Sequence, residues 1–291
     1  MTITDLSKSR YLRGAVFLVA LLALSSVVPA AKLKPATVKA FEQYEKLTEK
    51  RIAAELDSGK GFLIQDFLPP SDQKLCRQTI QSGGVHVQKM KTKTDEDKNI
   101  KVPSGMIHHW MGSVNIPKAR LADVLAWVQN YDKHEDYFPE VERSRLLSGK
   151  ENIFEIFLRL KRKKFVTAHY NTDHRVVYRH HDACHVSSAS YATRIAQVAE
   201  AGKPEEKEKP IGNDSGYLWR LNSYWRFMQK DGGVVVECES ISLSRSIPPV
   251  ISVLIKGYVK ATAKESLFNT LVSIRDGYHN PEKTKPPEDE F

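Results

Sequence analysis

The stretch Trp219–Arg245, WRLNSYWRFMQKDGGVVVECESISLSR, carries most of the fold in its own pattern. At its centre Asp231-Gly232 is a two-residue signal of the kind that closes a tight antiparallel hairpin. Such a loop places Lys230 opposite Gly233, so paired residue numbers sum to 463. Side chains alternate faces along a strand. One face then carries Tyr224, Arg226, Glu237 and Glu239, with Arg226 across from Glu237 and Tyr224 across from Glu239. That face is charge-matched and suits water. The other sets Trp219, Leu221, Ser223 and Trp225 against Ser244, Ser242, Ser240 and Cys238. Large rings opposite small residues leave room, so this second face is expected to look inward and the first to meet solvent.

The strands upstream repeat the pattern. Candidates run over 141–147, 152–161, 165–179 and 185–198, with an earlier one over 107–116 closed by Pro117. Phe154, Ile156, Leu158 and Leu160 share one face of their strand. Val166, Ala168, Tyr170, Thr172 and Val176 share one face of the next, with His169, Asn171, Asp173 and Arg175 on the other. The apolar sets are expected to face in, and a one-residue slip would reverse them. Two short helices are predicted after the first strand, over 118–131 and 133–138. A long one over 248–277 opens on proline, which the first turn of a helix tolerates. Its apolar stripe is Val250, Ile251, Leu254, Ile255, Tyr258 and Val259, resumed by Leu267, Phe268, Leu271 and Ile274 after a polar break. Strands joined by short turns pair antiparallel, and one apolar helix covers one face of such a sheet. The fold class is therefore α+β: a curved antiparallel sheet around a long C-terminal helix.

The N-terminal third is less legible. Residues 35–57 read as an amphipathic helix stopped by Gly59 and Gly61. Gly61–Leu68 and Val85–Met90 read as strand candidates, and 91–101 as an exposed charged stretch. The expected organisation is 1–30 signal segment, 31–104 N-terminal extension, 105–278 main domain and 279–291 disordered tail.

Composition narrows the class of protein. The chain has 291 residues with a net charge of +9. Lys8, Arg10 and Arg13 precede the apolar run Ala15–Leu24, followed by Ser25, Ser26, Ala30 and Ala31. A basic region, a short apolar core and small residues make a secretory signal, with cleavage expected after Ala30. The alternative is an uncleaved membrane anchor. The expected location is periplasmic or secreted. Cys76, Cys184 and Cys238 cannot all pair, so this is no disulfide scaffold, and no C-x-x-C suggests a zinc site.

Three stretches resemble the START-like superfamily of lipid-transfer domains, polyketide cyclases and pollen-allergen-like proteins. They are Ser113–Pro117 leading into Leu121–Val128, then Tyr137–Ser144, then Ser242–Pro248 ahead of the terminal helix. Trp219–Arg226 and Glu237–Arg245 further resemble exported bacterial proteins of that superfamily. The resemblance covers 105–277 and implies a helix-grip fold whose cavity takes lipids, sterols, quinones or polyketides. It leaves 32–104 outside the pattern.

With that fold, the expected cavity wall is Phe154, Ile156, Leu158, Tyr170, Thr172, Trp219, Leu221, Ser223, Trp225, Ser240, Ser242, Leu254 and Tyr258. The expected function is to bind or transfer a hydrophobic, lipid-like small molecule. An enzyme of the cyclase type and a scaffold with a filled core are the alternatives. No G-x-S-x-G, H-E-x-x-H or phosphate-binding glycine loop occurs, and no catalytic residue, cofactor or metal is assigned. The densest group of potential ligands, His180–His185, falls between two strands, where polar residues collect for turn reasons. His108 and His109, adjacent on a strand, point to opposite faces, and one is expected to be exposed. Lys161, Arg162, Lys163 and Lys164, at a hairpin tip, are the candidate contact with anionic membrane headgroups. Nucleic acid is not expected as a partner, since the basic residues lack interleaved stacking aromatics.

Overall fold

The computed structural model describes residues 31–163, 167–230, 232–246 and 249–279, the side chains of 249–261 excepted. The expected signal segment, the expected tail beyond His279, and the Leu254 and Tyr258 side chains lie outside the described residues. Among the described residues no helix is long and apolar enough to cross a membrane.

The hairpin that opened the sequence reading has the expected register. Its strands are β7 (Arg220–Lys230) and β8 (Gly233–Arg245), paired antiparallel from Lys230↔Gly233 to Arg220↔Leu243. Gly232 takes a φ of 74°, a conformation glycine adopts without steric cost. The others follow in chain order: β1 (His86–Lys89), β2 (Gly105–Pro117), β3 (Val141–Lys150), β4 (Ile153–Lys163), β5 (Thr167–His180) and β6 (His185–Ala199). They hydrogen-bond in the order β1-β2-β8-β7-β6-β5-β4-β3, all antiparallel, and Lys207–Glu208 adds a short ninth strand on β6. The β3 edge is blunted: Glu135 accepts from the Ser144 N–H at 2.9 Å and Asp132 from the Leu146 N–H at 2.8 Å. Capping free N–H groups removes the template for edge-to-edge association.

Helix α1 (Pro35–Asp57) spans the stretch read from the sequence and begins with proline in its first turn, where a helix tolerates it. Helix α2 (Pro70–Gln81) follows a 3₁₀ turn, Ile64–Phe67. Both correct the expectation for 61–105. The segment Gly61–Leu68 is not a strand, because Asp66 accepts from the Phe62 and Leu63 N–H groups and folds it back on itself. A second proline start, with Asp72 in the favourable first turn, opens a helix that is polar overall and buries only Cys76 and Ile80. Between β2 and β3 lie α3 (Leu121–Val128), a 3₁₀ turn and α4 (His134–Tyr137).

The long helix α5 (Pro249–His279) lies on one face of the sheet, here called concave. Leu267, Leu271 and Ile274 join Val114, Val236, Cys238 and Phe227 in the main core. Gly112 makes this approach feasible: a Cβ there would overlap Leu271 Cδ1 and stand 3.2 Å from the His86 carbonyl. At the opposite flank Arg162 Nη2 donates to the Thr262 carbonyl at 3.3 Å, and Ser266 donates to Glu140 at 2.6 Å. The helix thus touches both sides of the curved sheet. The convex face is not bare. Helix α1 and residues 61–67 cover β2, β8 and β7. The charged loop after β6 straps the other half, with Arg159 paired to Glu206 at 2.7 and 2.8 Å.

Candidate functional site

Cross-strand pairs share a face, so the register assembles the concave wall residue by residue. One row runs Val176–Ser190–Ser223–Ser240–Trp110 across five strands. The row beside it runs Tyr178–Ser188–Trp225–Cys238–Gly112. On the other side Leu221, Ser242 and His108 stand in line. The fully covered part of this face is apolar core. In the middle, Ser190, Ser223, Ser240, Trp110 and Trp225 stay half-buried, although the helix touches the sheet on both flanks. Trp225 lies flat beside Phe227, with ring centroids 6.1 Å apart, and its Nε1 donates to Ser223 Oγ at 3.0 Å.

Most expected wall residues stand on this face. Ile156 is in the main core, with Phe154 and Leu158 packed against it. Tyr170 and Leu221 meet in a second cluster with Ala168 and Ile195. Thr172 donates to the Leu158 carbonyl at 2.9 Å, so its oxygen is left to accept from His174 Nε2, also at 2.9 Å. His174 is therefore the Nε2–H tautomer, and burial pulls its pKa down to about 4, which keeps it uncharged near neutrality. The Tyr170 hydroxyl is buried without a hydrogen-bond partner, and burial raises its pKa. His108, Trp110, Ser188, Ser190 and His174 were missing from the expected wall. Extending the same alternation to β2 and β6, and keeping it through position 174 of β5, would have found them.

Trp219 does not belong to this wall. It precedes the first regular residue of β7, so strand alternation no longer governs it. Its Nε1 donates to Asp214 Oδ1 at 3.1 Å, and its ring packs on the convex side with Phe41, Tyr44 and Leu243.

The convex face overturns the expectation of solvent. Arg226, Glu237 and Glu239 are 2%, 0% and 0% exposed beneath the N-terminal layer. Arg226 pairs with Glu55 of α1 and donates to the Phe62 carbonyl at 2.9 Å. Glu237 accepts from the Ile64 N–H. Glu239 takes Arg51 of α1 and His109 Nε2, the latter at 2.6 Å. Tyr44 closes the chain: its hydroxyl accepts from the Thr92 N–H at 2.8 Å and donates to His109 Nδ1 at 2.8 Å. His109 is thus buried, and so is His108, which meets Ser244 at 2.9 Å; neither is the exposed residue expected. The two glutamates differ. Burial pushes Glu237 up to about 7, against the pull of Arg226. Burial also raises Glu239, but the His109 bond and Arg51 outweigh it and hold its carboxyl below the usual range.

The basic hairpin tip is partly committed. Arg162 pairs with Glu140, and Lys161 lies 3.6 Å from Glu142. Lys163 is exposed, and Lys164 lies outside the described residues. In the His180–His185 turn, Asp182 bonds His185 at 2.8 Å, and Phe62 meets the His181 ring edge-on and the His185 ring at a tilt. Cys76, Cys184 and Cys238 are all free thiols.

A long antiparallel sheet, two short helices after its first long strand, and a terminal helix gripped by the concave face define the architecture. The fold is an α+β helix grip. Similar solved structures include a STAR-related lipid transfer protein from Xanthomonas axonopodis, at 16% identity and a TM-score of 0.43. That match covers 62% of this chain and 96% of the other. The ZhuI aromatase/cyclase from Streptomyces sp. R1128 is 11% identical over 60% of this chain and 94% of its own, with a TM-score of 0.39. The human StarD13 lipid transfer and protein localization domain is 10% identical over 73% of this chain and 98% of its own, with a TM-score of 0.40. No family model matches the sequence, and no curated protein matches it. Within this helix grip, the concave row of serines and indoles is the candidate site.

Proposed function

We propose that this protein binds an apolar, lipid-like small molecule on the concave face, beneath the C-terminal helix. One observation supports the reading above others. The middle of the wall, Ser190–Ser223–Ser240 with Trp110 and Trp225, keeps accessible surface while helix α5 is anchored on both flanks. Rings and a few hydroxyls in a concave setting are what a ligand site offers: apolar area for affinity and sparse polar points for orientation. Each square ångström of apolar ligand surface removed from water would contribute about 25 cal/mol.

Native mass spectrometry of the gently purified full chain tests this. The expected result is a protein carrying a co-purified lipid-sized adduct. Ser240→Trp, which fills the row, should remove the adduct while circular dichroism stays unchanged. A bare mass for the natural chain, with no uptake of added lipid, would leave the scaffold with a filled core as the better account.

A cyclase-type enzyme on the same wall has one observation in its favour: the unpartnered Tyr170 hydroxyl stands on the face that holds uncharged His174. That reading requires turnover of a polyketide-like compound and its loss in Tyr170→Phe. The basic, apolar and small-residue order of the first 30 residues supports a location outside the cytoplasm, with the mature chain starting at Ala31. N-terminal sequencing after expression from Met1 checks it, and an intact Met1 terminus would count against cleavage.

A further inference from the structure

The charge inventory of the concave wall bears on which lipids fit. Across all eight strands the register puts only two Lys, Arg, Asp or Glu side chains on this face. Arg162 is one. It lies eight residues along the sheet from the serine row, about 25 Å at the usual rise per residue, and Glu140 already neutralises it. Lys89 is the other. It stands on the edge strand beyond Trp110 and is exposed to water. Every acidic and basic residue of β7 and β8 projects to the opposite face. Of the two buried imidazoles on the wall, His174 is held uncharged by burial and His108 Nε2 is bonded to Ser244 at 2.9 Å.

The row itself is made of hydroxyls. Ser190, Ser223 and Ser240 sit on adjacent strands, roughly 4.8 Å apart, and all three keep accessible surface. A hydroxyl offers one donor and two acceptor lone pairs, so it serves a carbonyl or another hydroxyl equally well. It cannot repay the desolvation of a carboxylate or phosphate, which needs a paired cation or several donors when taken from water.

We propose that the bound molecule is an uncharged lipid whose hydroxyl or carbonyl oxygen lies on the Ser190–Ser223–Ser240 row, and that fatty-acid anions and phosphate-bearing amphiphiles are refused there. This rests on the reading above that the concave face holds an apolar molecule. A matched pair of probes isolates the head group, since oleyl alcohol and oleate share the same chain.

The test is displacement of Nile red from the delipidated full chain at pH 8, with oleyl alcohol, methyl oleate and oleate as competitors below their aggregation limits. Oleyl alcohol and methyl oleate should displace the dye at least tenfold more tightly than oleate. The double variant Ser190→Ala, Ser240→Ala should erase most of the alcohol's advantage, and Lys89→Ala should change nothing. Oleate binding as tightly as the alcohol, or oleate binding that Lys89→Ala abolishes, would overturn the proposal while leaving the site intact. If Nile red does not bind and no competitor does, the underlying reading fails as well, and that result looks different from a loss of head-group preference.

Discussion

The β7–β8 hairpin has two faces built from alternate residues of the same 26-residue segment, and they meet opposite fates. The convex face carries Arg226, Glu237 and Glu239, ionisable and fully enclosed beneath α1 and residues 61–67. The concave face carries Ser223, Trp225 and Ser240, which are less demanding to bury and yet remain half-open. Hydropathy alone would order them the other way. The difference follows from pairing. Each charge on the convex face has a partner delivered by the N-terminal layer: Glu55 for Arg226, Arg51 for Glu239, which also takes His109 of β2, and the Ile64 N–H for Glu237. Among the described residues nothing comparable is delivered to the concave serines. On this view the convex face is a joint and the concave face is a site.

The largest effect should come from breaking the joint. Removing one partner of a buried ion pair leaves an uncompensated charge, at a cost of about 3–5 kcal/mol. Glu239→Ala leaves the buried His109 without its acceptor and Arg51 with Glu55 alone, and should lose stability of that order in urea denaturation. A loss below about 1 kcal/mol, the range of exposed pairs, would mean that water reaches this face after all. Next in size is the helix contact on the concave side. Gly112→Ala drives a methyl into Leu271, and overpacking of this kind costs about 1–3 kcal/mol. Unchanged stability would mean that α5 sits further from β2 than Leu271 and Gly112 now stand.

How much of this was legible beforehand can be judged from particular residues. The hairpin register was, because Asp231-Gly232 fixes it locally and alternation does the rest. The bounds of α1 were, because Pro35 and Gly59 punctuate a periodic stretch. The cover over Arg226 and Glu237 was not. A matched set of charges suits water or a complementary protein layer equally well, and the choice depends on residues 170 positions away. Helix α2 was missed because it is short and mostly polar, with a stripe of only Cys76 and Ile80. Trp219 was misplaced because alternation was carried one residue past the end of the strand.

The two faces should also respond to pH in opposite senses. His174 falls from an ordinary 6.5 to about 4 in the folded chain. The unfolded chain then binds the extra proton first, so this contribution is complete above pH 6.5 and is lost as pH falls toward 4. Glu237 rises from 4.5 to about 7. Here the folded chain holds the extra proton, so this contribution is complete below pH 4.5 and is lost as pH rises toward 7. Between about pH 4.5 and 6.5 the two oppose each other. Glu237→Gln removes the second alone, so stability should climb more steeply with pH across that window, by up to about 1.4 kcal/mol per pH unit. A slope identical to that of the natural chain would mean that Glu237 titrates normally and is not enclosed as described.

The smallest expected effect is the sharpest test of the contrast. Ser190 and Ser240 face accessible space, so an alanine there neither empties a packed volume nor strands a buried partner. Each should shift stability by no more than about 0.5 kcal/mol. Thr48, in the helix that roofs the convex face, donates to the Tyr44 carbonyl at 2.8 Å and meets Thr92 Oγ1 at 2.7 Å, fully buried. Thr48→Val also deletes a hydroxyl, but it leaves the Thr92 hydroxyl without its partner, at about 1–3 kcal/mol. If Ser240→Ala proved as costly as Thr48→Val in the same urea titration, the concave hydroxyl would be part of a closed core. The serines would then have to be read as packing, and the half-open wall would lose its claim to a ligand.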